Sequence, residues 1–330
     1  MEERVTQNRL SAPSPDEARL KQAHQKIEAL IKNLNSVLRG KPVAVELTVT
    51  TLAAGGHLII EDVPGVGKST LAHAVAKSID SDFFRIQFTS DLLPSDVIGV
   101  TVYHKETGEF EFRRGPIFAN IVLADEINRA TPRTQSALLE AMSVAQVSVE
   151  RKSIPLPSPF MLIATENPME FAGTYPLPES QLDRFMLSLK IGYPDRVHER
   201  AILTSEESEV TLKALPAVMT TAELLAVQEA AKSVRVGPEV TEYILEIAAA
   251  TRTHKLIRLG VSPRGSSALY RAAQAHALVK GRDFVTPDDV KALARAVFAH
   301  RIIPVTEPTD ERMDVAGNII DELLATIAVP

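Results

Sequence analysis

A glycine-rich segment containing a lysine and a serine follows a short apolar run. Residues 61–70 have the sequence EDVPGVGKST, with HLII before them and the alanine-rich LAHAVAKSI after them. Glycines let a turn curl so that successive N–H groups and the next helix N-terminus point at phosphate oxygens. We therefore expect Lys68 to contact β- and γ-phosphates and the Ser69 hydroxyl to hold Mg²⁺. The residues predicted to surround the phosphates are Val63, Pro64, Gly65, Val66, Gly67, Lys68, Ser69 and Thr70.

The segment departs from the usual phosphate-binding pattern at one position. The pattern G-x-x-x-x-G-K-[ST] has glycine where this chain has Asp62, whereas the G-V-G-K-S portion is intact. A chance glycine-rich turn is the alternative interpretation. The apolar run before the segment and the helical pattern after it favour a phosphate-binding loop, called the P-loop below (residues 62–70).

A second apolar run ends in two adjacent acids. Residues 121–126 have the sequence IVLADE, which is typical of a buried strand followed by carboxylates. Ligands of open parallel sheets bind outside the carboxyl ends of the strands, so Asp125 and Glu126 should lie beside the P-loop. We expect Asp125 to bind Mg²⁺, directly or through water, and Glu126 to polarise an attacking water as general base. Two solvated acids at a strand end are the alternative.

Three further residues are candidates for nucleotide binding or hydrolysis, although their sequence patterns are less specific. Asn167 comes shortly after the apolar run FMLIA, and its amide could orient the lytic water; a turn asparagine is the alternative. Arg184, in LDRF, could equally be a structural cation. Arg264 lies in the first turn of a helix opened by Ser-Pro, where a cation opposes the helix dipole. That unfavourable place indicates an anionic partner, with a plain surface arginine as the alternative.

Five apolar runs must position these residues. They are HLIIE, FFRIQF, NIVLAD, FMLIAT and MLSLKI, each the length of a buried strand, with helix-like segments between several of them. This alternation predicts an α/β domain whose mostly parallel sheet is covered by helices. Residues 102–112 and 146–160 show hairpin-like alternation and predict two exposed β-hairpins inserted into that scaffold.

The sequence pattern changes from strand-like apolar runs to helical spacing after residue 195. Polar or glycine N-caps followed by proline open successive helices from there onward. A chain of 330 residues also exceeds the size at which one core usually stays undivided. We therefore expect a flexible N-terminal tail over residues 1–24, an α/β core over residues 25–195, and a smaller all-helical domain over residues 196–330.

Composition limits the classes of function. The chain has 36 basic and 42 acidic residues, a net charge of −6, so no global positive field attracts nucleic acid, although a local groove can still be basic. Cysteine is absent, which excludes disulfides, thiolate nucleophiles and Cys-ligated zinc. The first residues do not resemble a signal peptide, and no apolar run is long enough to span a membrane. We expect a cytoplasmic protein.

Taken together, these strings resemble the MoxR family of AAA+ ATPases. The most specific are EDVPGVGKS, QFTSDLLPSDVIG, GPIFANIVLADEINRA, ATENP, LPESQLDRF and VSPRGSSAL, and the resemblance covers about residues 25–320. It implies a P-loop NTPase αβα sandwich with strand order 5-1-4-3-2, two inserted hairpins and a C-terminal helical lid. It also implies ATP and Mg²⁺ as cofactors, with nucleotide between core and lid, and ring-shaped homo-hexamers.

The resemblance also implies roles by position. Lys68 and Ser69 match Walker A, Asp125 and Glu126 Walker B, Asn167 sensor 1, Arg264 sensor 2 and Arg184 the arginine finger, while Gly40 and Tyr193 match places near the adenine. An arginine finger reaches the γ-phosphate of the neighbouring subunit, which makes hydrolysis depend on assembly. The resemblance thus gives Arg184 a catalytic role in trans.

For function, the resemblance implies a chaperone-like ATPase that remodels or activates a protein client carrying a von Willebrand factor A domain, including steps of metal-cofactor insertion. A magnesium-chelatase-like subunit, which shares the hairpins, is the closest alternative. A nucleic-acid motor is less favoured, because the hairpin around Gly108 carries mixed rather than basic charge. A GTPase is disfavoured because no N-K-x-D string is present.

Overall fold

Five short strands form one parallel sheet in the computed structural model, which describes residues 15–149, 152–167, 173–204, 212–305 and 312–330. Along the chain they are β1 (Leu58–Glu61), β2 (Phe83–Gln87), β5 (Ile121–Asp125), β8 (Met161–Glu166) and β9 (Leu187–Leu189). Their spatial order is β2-β5-β8-β1-β9, and every adjacent pair is parallel. Numbered one to five in chain order, these strands have the predicted order 5-1-4-3-2, so the predicted fold class is confirmed.

Apolar side chains cover both faces of the sheet, because successive residues of a strand point to opposite sides. Leu58 and Ile60 belong to one hydrophobic cluster, and Ile59 between them belongs to a second. The first cluster includes residues of α1 (Pro15–Val37), α2 (Pro42–Ala53) and α3 (Lys68–Ser78), and the second includes residues of α4 (Pro94–Ile98), α5 (Pro132–Val144) and α6 (Glu179–Leu182). The result is an αβα sandwich.

The two segments predicted as hairpins form antiparallel strand pairs outside the five-stranded sheet. Strand β3 (Gly99–His104) pairs with β4 (Glu109–Arg114), and β6 (Gln146–Val149) pairs with β7 (Lys152–Pro155). The turn between β3 and β4 contains Gly108 with a φ of 71°, a left-handed conformation that glycine adopts without strain. Both pairs are therefore separate two-stranded hairpins that do not extend the central sheet.

Helix α1 begins earlier than predicted. Residues 15–24 are part of the predicted flexible tail, but α1 starts at Pro15 and has Asp16 and Glu17 in its first turn, where acids favour the helix dipole. Ala23 is buried in the cluster that α1 shares with the C-terminal helices, so packing holds this part of the helix. Residues 1–14 of the predicted tail lie outside the described residues.

Helices dominate the chain after residue 195. They are α7 (Arg196–Thr204), α8 (Thr221–Lys232), α9 (Pro238–Thr253), α10 (Pro263–Val279), α11 (Pro287–Phe298) and α12 (Arg312–Thr326), with a small strand pair β10 (Ile257–Leu259) and β11 (Ile303–Pro304). Short 3-10 turns lie at Ile127–Arg129 and Ala299–Arg301. The predicted cap Ser262 accepts a hydrogen bond from the N–H of Gly265. Thr220, which was not predicted as a cap, accepts from the N–H of Glu223 at the start of α8. Across the described ranges, no helix is long and apolar enough to cross a membrane.

A buried histidine joins α2 to the C-terminal helices. His276 of α10 contacts Asp289 Oδ1 through Nδ1 at 2.6 Å and Glu46 Oε1 through Nε2 at 3.0 Å. Burial opposes charge on this ring, but the hydrogen bonds to the two carboxylates outweigh burial and raise the pKa of His276. The hydrogen bond from His276 in turn lowers the pKa of Glu46 to about 2. Below pH 6.5 the ring is therefore an imidazolium that connects α2, α10 and α11.

We expect His276→Gln to lower the free energy of unfolding by roughly 2 kcal/mol at pH 6, because Asp289 and Glu46 lose their charge-assisted hydrogen bonds to the ring and keep only Arg282 and Lys280 as cationic partners. The folded-state pKa of His276 lies above the unfolded value of 6.5, so its stabilisation is complete below pH 6.5 and disappears as the pH rises through the folded value. Urea unfolding at pH 6 and pH 9 measures both effects.

The control is His24→Gln, since that half-buried ring has an ion-pair contact with the exposed Glu28. It should cost less than about 1 kcal/mol. An equal loss of stability at both pH values in the His276 variant would contradict a charged His276 ring.

Candidate active site

The P-loop connects strand β1 to helix α3 at the carboxyl end of the sheet. The loop passes through left-handed backbone at Gly65, with a φ of 84°, and at Gly67, with a φ of 101°. A Cβ added at Gly67 would lie 3.0 Å from Leu38 Cδ1, so conformation and close contact both favour glycine there. Helix α3 begins at Lys68, and the N–H groups of its first turn have no partner within the helix. This backbone can bind an anion.

Lys68 is folded back onto the loop. Its Nζ donates hydrogen bonds to the carbonyl of Asp62 at 2.6 Å and to that of Glu166 at 3.5 Å, and the residue is only 8% exposed. Burial lowers the pKa of Lys68 despite the nearby carboxylates, among which Asp125 has the largest opposing effect. The ammonium therefore lies among carbonyls and carboxylates at the end of the sheet where the phosphates are expected.

Asp125 ends strand β5 beside the P-loop. Its Oδ1 accepts from Thr165 Oγ1 at 2.6 Å, and its Oδ2 accepts from Arg85 Nη2 at 2.6 Å and Nε at 2.9 Å. The Asp125 carboxylate and the Ser69 hydroxyl, in the first turn of α3, are oxygen donors of the kind that Mg²⁺ prefers. Within the described part of the chain, no three acidic, histidine or cysteine residues form a metal-binding group. The Asp125 carboxylate and the Ser69 hydroxyl would suit a Mg²⁺ ion that is also bound by the nucleotide phosphates.

Glu126 has an unusual backbone conformation for its residue type. Its φ is 58°, in the left-handed region, and its N–H donates to Thr165 Oγ1 at 2.9 Å. The carboxylate accepts from Gln87 Nε2 at 2.8 Å and contacts Arg129 Nε at 3.1 Å. A strained glutamate whose carboxylate is held by polar neighbours is suited to orienting a water molecule.

The residues that hold these two carboxylates were not identified from the sequence. Arg85 and Gln87 lie on β2, where the register places Gln87 opposite Asp125. Arg85 Nη2 also donates to Gln87 Oε1 at 2.7 Å, so the two side chains form one polar unit. The available signal was the polar residues at positions i and i+2 of FFRIQF, which lie on one face of a strand. Thr165, the penultimate residue of β8, gave no comparable signal.

Asn167 and the residues predicted near the adenine lie at the same end of the sheet. Asn167 directly follows β8 and is buried. Gly40 has a φ of 74°, and a Cβ there would lie 2.6 Å from His198 Nδ1 of α7. Lys41 Nζ donates to the Tyr193 carbonyl at 2.6 Å, which joins the α1–α2 connection to the segment after β9. The structure therefore brings Asn167, Gly40 and Tyr193 to the P-loop end of the sheet.

Arg184 and Arg264 lie at the opposite end of the sheet. Both line a cavity of about 520 Å³ that also contacts His57, the residue before strand β1. Strand residues rise by about 3.3 Å each, so His57 and Asp62 are roughly 16 Å apart, too far for either arginine to reach its own P-loop. For Arg264 this differs from the expectation that nucleotide binds between core and lid. The reason is tertiary: α10 packs along α2, and its first residues lie at the amino ends of the strands.

The cavity is strongly basic. Its described lining includes four arginines and a single acid, namely Arg184, Arg264, Arg271, Arg301 and Asp183. Burial lowers the pKa of His57 to about 4, so this ring is neutral at pH 7. A cavity with such an excess of guanidinium groups suits a phosphate-bearing ligand.

Asp183 connects the two predicted catalytic arginines. Its carboxylate accepts from Arg301 Nε at 2.9 Å and from Ser262 Oγ at 3.1 Å, and Ser262 caps the helix that carries Arg264. Arg184 follows Asp183 directly in the chain. Burial lowers the pKa of Arg301 to about 10 although Asp183 opposes this, so Arg301 stays charged. This network fixes where the Arg184 and Arg264 main chains lie relative to each other.

Comparison with known proteins identifies the family. Residues 57–187 match the ATPase family associated with various cellular activities (AAA), and residues 249–323 match the AAA lid domain. The uncharacterised protein YeaC of Bacillus subtilis (strain 168) is 47% identical over 93% of this chain and 96% of its own. Chaperone MoxR1 of Mycobacterium tuberculosis is 37% identical over 92% of this chain and 82% of its own. The chain belongs to the MoxR family of AAA+ ATPases.

A solved structure has the same fold as this MoxR-family ATPase. It comes from Cytophaga hutchinsonii, is provisionally described as an ATPase, and gives a TM-score of 0.86 at 34% identity, covering 95% of this chain and 98% of that chain. The AAA lid match includes all of α10 and therefore Arg264. In this MoxR-family chain the P-loop thus lies at one end of the sheet and the lid arginine at the other.

Proposed function

We propose that this MoxR-family ATPase works as a ring, expected to be a hexamer, in which each copy supplies Arg184 and Arg264 to the ATP bound by its neighbour's P-loop. The observation that carries this proposal is the separation of the site into two halves. Lys68 lies at the carboxyl end of the sheet, whereas the basic cavity lies at the amino end. A second copy is needed to bring the halves together, and the cavity offers the charge that a γ-phosphate requires.

The P-loop half performs the chemistry in this proposal. Lys68 binds the β- and γ-phosphates, while Ser69 and Asp125 hold Mg²⁺, which neutralises phosphate charge when bound. Glu126 accepts a proton from the attacking water, and Asn167 orients that water. Backbone N–H groups of the P-loop bind the phosphate chain, and Gly40 and Tyr193 border the adenine.

Hydrolysis remodels or activates a protein client in this proposal. MoxR1, whose match covers most of both chains, is named a chaperone, which favours this function over a magnesium-chelatase-like subunit. The MoxR resemblance suggests clients with a von Willebrand factor A domain and a role in inserting their metal cofactors. The hairpin β3–β4 carries glutamates beside its basic residues, which disfavours nucleic acid as the substrate. We also propose that the protein acts in the cytoplasm.

A trapped complex tests the client assignment. Glu126→Gln should hold ATP and keep its client bound, whereas Lys68→Ala should bind neither tightly. Both proteins are crosslinked in extract of the native cells with ATP present, and the captured proteins are identified by mass spectrometry. We expect proteins with a von Willebrand factor A domain to be enriched with Glu126→Gln relative to Lys68→Ala. Enrichment only of proteins that lack this domain would reject the assignment.

A further inference from the structure

The Asp62 side chain occupies the position of the usual P-loop glycine and is fully engaged. Its Oδ1 accepts from the N–H of Val63 at 2.9 Å, and its Oδ2 accepts from the N–H groups of Ile191 at 2.7 Å and Gly192 at 2.6 Å. The residue is only 8% exposed. Hydrogen bonds to an ionised acceptor are roughly twice as strong as neutral ones, so this carboxylate is a strong and well-oriented contact.

These bonds join two parts of the ATP site that are distant in sequence. One part is the P-loop, and the other is the β9–α7 linker (residues 190–195), which contains Ile191 and Gly192. The same linker contains Tyr193 and leads to α7, whose His198 lies against Gly40. One carboxylate therefore connects the phosphate side of the site to the side expected to hold the adenine.

The backbone at Asp62 does not require glycine. Its φ lies outside the left-handed region that Gly65 and Gly67 adopt. The Asp62 carbonyl accepts from Lys68 Nζ at 2.6 Å, and its N–H donates to the Glu166 carbonyl at 3.2 Å. The main chain of Asp62 thus contacts the P-loop lysine and strand β8, while its side chain holds the linker.

We propose that Asp62 is a positioning residue that fixes the P-loop against the β9–α7 linker, so that the phosphate and adenine sides of the ATP site are preorganised together. Asp62 is not assigned a contact with the lytic water or the γ-phosphate. It therefore acts on ATP affinity rather than on the chemical step, because preorganisation reduces the entropy lost on binding. The proposal concerns ATP binding by one chain, so it does not depend on Arg184, Arg264 or the client.

Asp62→Gly is the most informative variant, because it restores the glycine of the usual pattern and leaves the P-loop able to form. The KM for ATP should rise about 10-fold with kcat within about twofold of wild type, since the lost hydrogen bonds are remote from the reacting atoms. Asp62→Asn keeps the shape but offers one acceptor oxygen, so its KM should lie in between. Steady-state kinetics are measured at a protein concentration where activity per chain no longer changes on dilution.

The matched control is Asp283→Asn. Asp283 lies between α10 and α11, and its Oδ2 accepts from Arg235 Nη2 at 2.7 Å, between α8 and α9. This bond involves neither the P-loop nor the β9–α7 linker, so the KM of this variant should stay within about twofold of wild type. A fall in kcat with an unchanged KM in Asp62→Gly, or an equal rise of KM in Asp283→Asn, would overturn the proposal.

Hydrogen exchange gives a readout that does not need turnover. In wild type, adding ADP should slow exchange both in the P-loop and over residues 187–196, because the linker is attached to the nucleotide-bearing loop. In Asp62→Gly, ADP should protect the P-loop peptide as in wild type and residues 187–196 clearly less, because only their direct contact with the adenine remains. Equal protection of residues 187–196 in both proteins would overturn the proposal. If circular dichroism shows that Asp62→Gly is unfolded, ADP protection is compared between wild type and Asp62→Asn instead, with the same criterion.

Discussion

Lys68→Ala is expected to weaken ATP binding by roughly 100-fold, because it removes the cation of the P-loop and its charge-assisted contact to phosphate. Glu126→Gln is expected to bind ATP normally and to lower kcat by roughly 10²- to 10⁴-fold, because the amide cannot accept the proton of the attacking water. Both expectations follow from the geometry. Lys68 Nζ donates to the Asp62 carbonyl of the P-loop, and Glu126 directly follows β5. Calorimetry with ATP and a phosphate-release assay measure the two effects.

Matched variants control for general damage. Lys77→Ala changes a lysine in the last turn of α3, where Nζ donates to the Lys213 carbonyl and lies away from the P-loop. Glu140→Gln makes the same glutamate-to-glutamine change at an exposed position of α5. Both controls should keep wild-type affinity and turnover. Large and equal losses of affinity in the two site variants would contradict the division of roles, and a normal kcat in Glu126→Gln would exclude it as the base.

The P-loop and the sheet are predictable from sequence because their signals are local. Buried parallel strands need continuous apolar runs, and each of the five runs matches one strand of the sheet to within one or two residues at either end. The P-loop needs glycine where its backbone is left-handed, and Gly65 and Gly67 meet that need within four residues of β1 and one of α3. The start of α1 was less predictable, since Pro15 lies within a proline- and serine-rich stretch that also suits a tail.

The position of Arg264 is not predictable from spacing. A cation in the first turn of a helix indicates an anionic partner, but it does not show at which end of the sheet that helix begins. This depends on how α10 packs against α2, including the contacts of His276 with Glu46 and of Arg271 with the Ala54 carbonyl. Such contacts join residues more than 200 positions apart.

The partners of the catalytic carboxylates depend on strand register. Asp125 and Glu126 are predictable as strand-end acids, but most of their side-chain contacts come from two other strands. Arg85 and Gln87 reach them because β2 lies beside β5 in register, and Thr165 because β8 lies on the other side of β5. Asp62 shows the same limit. The sequence shows only that Asp62 departs from the usual pattern, and the structure is needed to show that its carboxylate contacts the β9–α7 linker.

Arg184→Ala is expected to bind ATP with near-normal affinity and to lose turnover by a factor on the order of 10³. The reason is distance: the basic cavity and the P-loop of one chain lie at opposite ends of β1, roughly 16 Å apart, so the guanidinium acts on a neighbour's ATP. Calorimetry and phosphate release separate the two effects. The control is Ser143→Ala, which removes a 2.8 Å contact of Arg184 Nη1 while leaving the cation, and it should keep most activity.

Mixing two inactive variants then tests whether the site is shared between copies. Lys68→Ala keeps its arginines but lacks the P-loop cation, whereas Arg184→Ala keeps an intact P-loop but lacks the arginine. Some interfaces of a mixed ring pair an intact P-loop with an intact Arg184, so the mixture should hydrolyse ATP although neither parent does. Wild-type activity per chain should likewise rise with protein concentration as light scattering shows rings forming. Constant activity down to dilutions where only monomers scatter would mean that one chain hydrolyses ATP without the arginines of a neighbour, which would contradict the shared site.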